Sequence, residues 1–242
     1  MDLRPKEAAR KLSKAARLIR VPAWRRGLRV GVAASVEHDA LPLRSDYRTV
    51  IDVGANKGQF ALYARARFPG AEVYSLEPLP EPRTRMKRLF EGNARVHVLA
   101  AAAGAAPGSA RINVSRADDS SSLLPTTTRQ LDRFPGTDTV GQESVEVEPL
   151  DRLLEGAELA RPVLLKLDVQ GYELEALRGA EQVLASVDTV LTECSFVPFY
   201  SGQALFDEIR DFLRERGFGL VGGKISATHD RRWEQGDFVF ER

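Results

Sequence analysis

From residue 47 onward, apolar positions fall into short runs separated by helical stretches. Residues 49–53, 71–77 and 95–100 read as strands joined by helices over 57–67 and 80–90. This βαβαβ order requires a parallel sheet with right-handed crossovers. The pattern breaks between Ala101 and Gly108. Residues 110–114 and 144–148 then alternate apolar and polar with period two, predicting an antiparallel pair around a polar stretch of about 30 residues. That stretch is either a lid, with Asp118, Asp119 and the Ser120 to Ser122 hydroxyls available to polar ligand groups, or a flexible linker. A nearly continuous apolar run, 162–167, restarts the alternation. A helix with Leu174, Leu177, Val183 and Leu184 on one face follows, then a strand over 187–193 and a helix carrying Leu205, Phe206, Ile209, Phe212 and Leu213. Residues 217–221 and 237–240 close the chain as strands on either side of a polar loop. The expected fold is α/β and Rossmann-like: a seven-stranded, mostly parallel sheet with an antiparallel last strand and a β-hairpin insertion.

Residues 1–45 stand outside this pattern, which divides the chain into a basic N-terminal helix with a linker (1–45) and a catalytic-type α/β domain (46–242). Residues 1–30 hold ten Lys or Arg against Asp2 and Glu7, although the whole chain carries only +1, so the remainder is net acidic. Ala8, Leu12, Ala15, Ala16 and Ile19 share one helical face. Such a helix can lie on an anionic membrane surface, as a peripheral contact through residues 1–30, or pack on its own acidic domain. Nucleic acid is not expected, because the body has no basic patch interleaved with aromatics. With 43% apolar and 29% charged residues the composition is that of a soluble globular chain, and no apolar run reaches the ~18 residues a membrane span needs. The single cysteine, Cys194, rules out internal disulfides and reads as a buried bystander. A reducing cytoplasm is the expected compartment.

The candidate chemistry starts where the first strand ends. Asp52-Val53-Gly54-Ala55-Asn56-Lys57-Gly58 runs from strand to helix, with glycines that let backbone approach a ligand. The second strand ends in Glu77-Pro78, near the ~20-residue spacing at which a carboxylate meets ribose hydroxyls. Asn56 stands where a pyrophosphate fingerprint has its middle glycine, Asp52 would repel a pyrophosphate, and Lys57 precedes Gly58 instead of following it as a Walker lysine would. A cationic or zwitterionic nucleoside fits better, and S-adenosyl-L-methionine has the ribose, ammonium and sulfonium to suit. An NAD-dependent oxidoreductase shares the turn and the acid but lacks the Gly-x-Gly. A strand-turn-helix that merely needs glycine for packing is the plain alternative.

Asp168 and Glu193 end the next two strands, so four carboxylates should converge on the rim where open α/β sheets bind ligands, although any single one could be a helix cap. Asp168 is the favoured general base, and Asp168 with Glu193 could hold Mg²⁺, though two acids are too few to define a metal site. His229, in the expected loop, is a second candidate base; His97 reads as a core residue and His38 lies in the linker. Phe196, Phe199 and Tyr200 either wall an acceptor pocket or pack.

The chain resembles the FkbM-type family of S-adenosylmethionine-dependent methyltransferases from about Tyr47 to its end. Val50 to Gly58 is similar to that family's cofactor motif, and Leu165-Lys166-Leu167-Asp168-Val169-Gln170-Gly171-Tyr172-Glu173 to its Asp-Val-Glu-Gly-x-Glu signature, with Gln170 replacing a glutamate. Ser121-Ser122-Leu123 and Gln235 to Phe240 are also similar. The resemblance implies a class I methyltransferase fold, with Asp52, Gly54, Asn56, Gly58 and Glu77 holding the cofactor; Phe60, Pro78 and Ser121 are expected beside them, and Tyr172, Phe196 and Tyr200 are expected to face the acceptor. It implies O-methylation of a hydroxyl on a sugar, glycolipid or polyketide-type product. A non-catalytic scaffold that works through its basic helix is the reading from another class.

Overall fold

The computed structural model describes residues 18, 19 and 21–242. Thr49–Val53 (β1), Glu72–Leu76 (β2) and Val96–Leu99 (β3) pair in parallel, with Gln59–Arg67 (α1) and Pro80–Leu89 (α2) as the crossovers. Val163–Leu167 (β4) lies on the other side of β1, and Thr189–Ser195 (β5) beside β4, both parallel. Gly219–His229 (β6) and Arg232–Glu241 (β7) form an antiparallel hairpin whose β7 pairs with β5. The sheet order is β3-β2-β1-β4-β5-β7-β6. Five parallel strands and a terminal hairpin are the expected α/β, Rossmann-like arrangement.

A continuous apolar run is what a strand covered on both faces needs. Val163, Leu164 and Leu165 are fully buried, as are Val50 and Ile51 on β1. At about 1.5–3 kcal/mol for each such side chain, this central pair anchors the fold. Two clusters sandwich it. One joins Val50, Phe60, Tyr63, Phe68 and Met86; the other joins Ile51, Leu165, Leu177, Ile209 and Phe240.

The expected insertion pair also forms. Gly108–Ser115 (β8) and Thr139–Glu148 (β9) are antiparallel, with Ala110 opposite Val145, and Ala102–Ala103 (β10) adds a parallel third strand. The polar stretch between them contains a helix, Thr128–Arg133 (α3), and is tied down at both ends. Asn113 and Ser122 exchange backbone bonds, and Thr127 N donates to Phe199 O at 3.0 Å. Arg129 and Arg133 hold the buried Glu234 of β7 at 3.3 and 2.7 Å.

Three differences bear on function. β6 runs to His229, so most of the expected polar loop is edge strand, closed by a turn at Asp230 and Arg231 with φ of 48° and 64°. Its Gly222-Gly223 and polar residues carry no apolar period, and the ladder to β7 supplies the order. β5 runs to Ser195, which puts Glu193 inside a strand instead of at its end.

The third difference concerns the N-terminal segment. Trp24, on the helix Pro22–Arg29 (α4), belongs to the first core cluster, as do Val32, Ala34, Val36 and Leu41. Trp24 Nε1 donates to Leu62 O at 3.2 Å. Ala8, Leu12, Ala15 and Ala16 of the expected amphipathic helix lie outside the described residues; Ile19 is exposed.

Candidate active site

The chain leaves β1 for β2 and β3 on one side, then returns to place β4 on the other, so β1 and β4 flank the switch point where open α/β sheets open a crevice. Two tight turns meet there. Gly54, Asn56 and Gly58 have φ of 78°, 49° and 88°, and Gln170 and Gly171 have 54° and 97°. A Cβ on Gly54 would lie 1.9 Å from Asp168 O, so only glycine allows the two turns to touch. Between them lies a cavity of about 450 Å³, within the usual range for small-ligand sites.

Of the expected cofactor residues, Gly54, Asn56, Phe60, Glu77, Pro78 and Ser121 line this cavity. Glu77 is buried and accepts Asn56 N and Leu79 N, each at 2.8 Å, and burial pushes its carboxyl up to about 7 despite those donors. Asp52 and Gly58 stand behind the wall. A Cβ on Gly58 would meet Met86 and Phe90 at 2.9 Å, so this glycine serves helix packing.

Asp52 is fully buried and faces Lys166 Nζ at 3.1 Å; that ammonium also lies 3.6 Å from Asp168 and 3.3 Å from Gly54 O. Burial opposes the Lys166 charge, but the Asp52 and Asp168 carboxylates outweigh it and raise the amine above its ordinary value. Removing one member of such a pair leaves a buried charge uncompensated, at about 3–5 kcal/mol. Lys166 lines the cavity, 5.7 Å over the Phe60 ring. Its position in an apolar strand gave no sign of this, since its partner Asp52 is remote in sequence.

Asp168 and Tyr172 line the cavity; Glu193, His229, Phe196 and Tyr200 do not. Gln170 Nε2 bridges the two acids, 2.8 Å from Asp168 Oδ1 and 3.4 Å from Glu193 Oε2, and its Oε1 accepts the Tyr200 hydroxyl at 2.8 Å. An amide thus occupies the place between the two carboxylates that a bridging Mg²⁺ would need. Desolvation, with the charges of Asp168 and Asp237, pushes the Glu193 carboxyl well above the usual range. Phe196 packs among Phe206, Phe238 and Trp233, because β5 carries it beyond the rim. His229 sits at the tip of the β6–β7 hairpin beside Asp230, three strand spacings or roughly 14 Å across the sheet from β4.

One residue besides Lys166 was not legible in the sequence as part of the site. His38, in the 3-10 turn Val36–Ala40, lines the cavity together with Gly31, Val32 and Ser35. The segment around Asp118 closes the opposite side: Asn56 Nδ2 donates to Asp118 O at 2.9 Å, and Lys57 pairs with the Asp118 carboxylate.

The cavity is rich in acceptors. Asn56 Oδ1 and Gln59 Oε1 are buried without donors, beside the carboxylates of Glu77 and Asp168. A ligand carrying ribose hydroxyls, an ammonium and a second positive centre suits that set, and a pyrophosphate does not.

A seven-stranded sheet of this order, with an acceptor-lined cavity at its switch point, defines a Rossmann-like α/β protein with a nucleoside-type ligand crevice. The sequence pattern of the Methyltransferase FkbM domain matches residues 52–220, and the chain belongs to that family. It is 30% identical over 145 residues to the hexuronic acid methyltransferase AglP of Haloferax volcanii, covering 59% of this chain and 54% of that one, so it spans about half of that relative. It is 26% identical over 170 residues to the 2-O-methyltransferase NoeI of Sinorhizobium fredii, covering 68% and 70%. Among solved structures, the magnesium protoporphyrin IX methyltransferase ChlM of Synechocystis with bound SAM is 12% identical at a TM-score of 0.44, covering 100% of this chain and 86% of that one.

Proposed function

We propose that this protein is an S-adenosylmethionine-dependent O-methyltransferase whose acceptor is a hydroxyl on a sugar, glycolipid or polyketide-type product. The observation that carries the reading is the acceptor-rich cavity between the Gly54 and Asp168 turns, with Glu77 at its nucleoside end. The names of the two relatives support a saccharide acceptor.

Bound S-adenosylmethionine would supply an electrophilic methyl group on a sulfonium. Glu77 accepts from the ribose hydroxyls, while Asn56 Oδ1 and Gln59 Oε1 take ammonium donors. Asp168 accepts a hydrogen bond from a hydroxyl of the acceptor next to the one that is methylated and so orients the acceptor; alignment of this kind contributes several kcal/mol. Lys166 fixes the Asp168 carboxylate, Gln170 fixes it from the other side, and Tyr172 lies on the wall beside them. The Asp118 segment, latched to Asn56 and Lys57, excludes water.

Titration calorimetry with S-adenosylmethionine, its demethylated product and NAD tests the reading. Micromolar binding of both sulfur nucleosides, about −8 kcal/mol, is expected, weakened at least about tenfold by Glu77→Ala, with none for NAD. Absence of binding by either sulfur nucleoside would remove the cofactor and with it the reaction.

A peripheral membrane contact is a further part of the proposal. Ile19, Leu28 and Val30 are exposed beside Arg25, Arg26 and Arg29, an apolar and basic surface suited to anionic lipid. Sedimentation with phosphatidylserine vesicles, reversed by salt, is the expected result; protein left in the supernatant at low salt would refute it.

A further inference from the structure

Of the three histidines in the chain, His38 alone lines the cavity. His97 is paired with Glu72 at 3.0 Å and stacked on Tyr74, and His229 is at the hairpin tip. The His38 ring is held on two sides. Its Nδ1 lies 2.9 Å from Ser35 O, a carbonyl that can only accept, so Nδ1 carries the proton and the neutral ring keeps its lone pair on Nε2. Its plane stands edge-on to Phe60, with centroids 5.0 Å apart at 84°, and Tyr63 lies 5.9 Å away. A histidine with its tautomer set by a backbone carbonyl and its orientation set by aromatic packing is arranged as a proton acceptor.

The other groups near the acceptor end are already committed. Asp168 Oδ1 accepts from Gln170, and its Oδ2 faces the Lys166 ammonium. Both oxygens of that carboxylate therefore already have partners within the protein. Glu193 is behind Gln170 and off the cavity wall.

We infer that His38 is the base of the methyl transfer: its Nε2 takes the acceptor's hydroxyl proton. This rests on the O-methylation proposed above. The hydroxyl oxygen forms a bond to the methyl carbon, the S–C bond breaks with its electron pair passing to sulfur, and the proton moves from oxygen to Nε2, then to water. Asp52 from β1 and Asp237 from β7 are close enough to His38 to interact with it electrostatically, and Tyr63 from α1 lies against its ring; Lys166 and Asp168 line the same cavity, Lys224 from β6 reaches Glu37 O, and Glu37 and Asp39 are its neighbours in the chain.

His38→Asn separates a base from a structural anchor, because the Asn amide can still donate to Ser35 O. Nitrogen-15 NMR of the imidazoles, assigned by difference from His38→Asn, should show the Nδ1–H tautomer and a His38 resonance displaced by the demethylated cofactor. In methyl transfer to neutral alkyl glycosides such as octyl glucoside, His38→Asn should lower kcat about 10²-fold or more. Its cofactor affinity and KM should stay within about threefold, the acidic limb of the kcat profile taken at saturating cofactor should vanish, and added imidazole should restore turnover to His38→Ala. An Nε2–H tautomer, or an unmoved kcat and pH profile, would overturn the assignment. Should the wild type methylate no glycoside, the acceptor class proposed above fails, whereas the tautomer and its response to the demethylated cofactor still decide His38.

Discussion

Glu77 makes the cofactor site sensitive to pH. Burial holds its carboxyl up to about 7, although Asn56 N and Leu79 N both donate to it. On the proposed reading, in which the carboxylate accepts from ribose hydroxyls, the binding form is populated above that value and lost as pH falls through it. Cofactor affinity is therefore expected to weaken between pH 7 and 5, by up to about tenfold per unit, since one proton is coupled to binding. Glu77→Gln should bind about tenfold more weakly at pH 8 and show no such dependence; calorimetry across that range checks both. Glu77 and Asp168 were legible in the sequence because a strand ending in an acid is a local pattern. Lys166 and His38 were not. A lysine within an apolar strand declares no partner when Asp52 lies on a different strand, and His38 occupies a stretch without periodicity. Gln170 is the reverse case: the sequence showed its departure from the family signature, but only the structure shows an amide that donates to Asp168 while accepting from Tyr200, which an ionised glutamate could not do.

Among the elements, the two turns at the switch point depend on one another. Gly54 combines φ of 78° with a Cβ position 1.9 Å from Asp168 O, and Asp168 N in turn donates to Val53 O at 3.1 Å. Gly54→Ala must push the Asp168 turn away and strain its own backbone, at about 2–4 kcal/mol. Denaturant unfolding should show that loss, and cofactor binding should weaken as well because the cavity widens. Gly70→Ala, with open space around its Cβ, is the matched control and should change stability little. These parallel elements were readable because a β-strand followed by an amphipathic helix is a short-range code. The β6–β7 hairpin was only half readable: an exposed edge strand with glycines and polar residues has no buried face to impose a period, so its length, and with it the position of His229 and the aromatic cluster around Phe196, followed from pairing alone.

At the scale of the whole molecule, the folding unit reaches back before the boundary that the apolar pattern suggested at residue 46. Trp24, Val32, Ala34, Val36 and Leu41 are buried in the same cluster as Val50 and Phe60, and Tyr63 Oη donates to Asp39 at 2.9 Å. Gly31, Val32 and His38 also form part of the cavity wall. Such a segment hides from pattern reading because it contributes side chains one at a time from irregular backbone. Losing Trp24, Val32, Val36 and Leu41 alone removes about 6–12 kcal/mol of apolar burial, comparable to the net stability of an ordinary domain. A chain beginning at residue 46 is therefore expected to aggregate or unfold and to bind no cofactor. Thermal unfolding and calorimetry on that truncation distinguish this from a separable N-terminal arm, which predicts a folded, binding-competent protein.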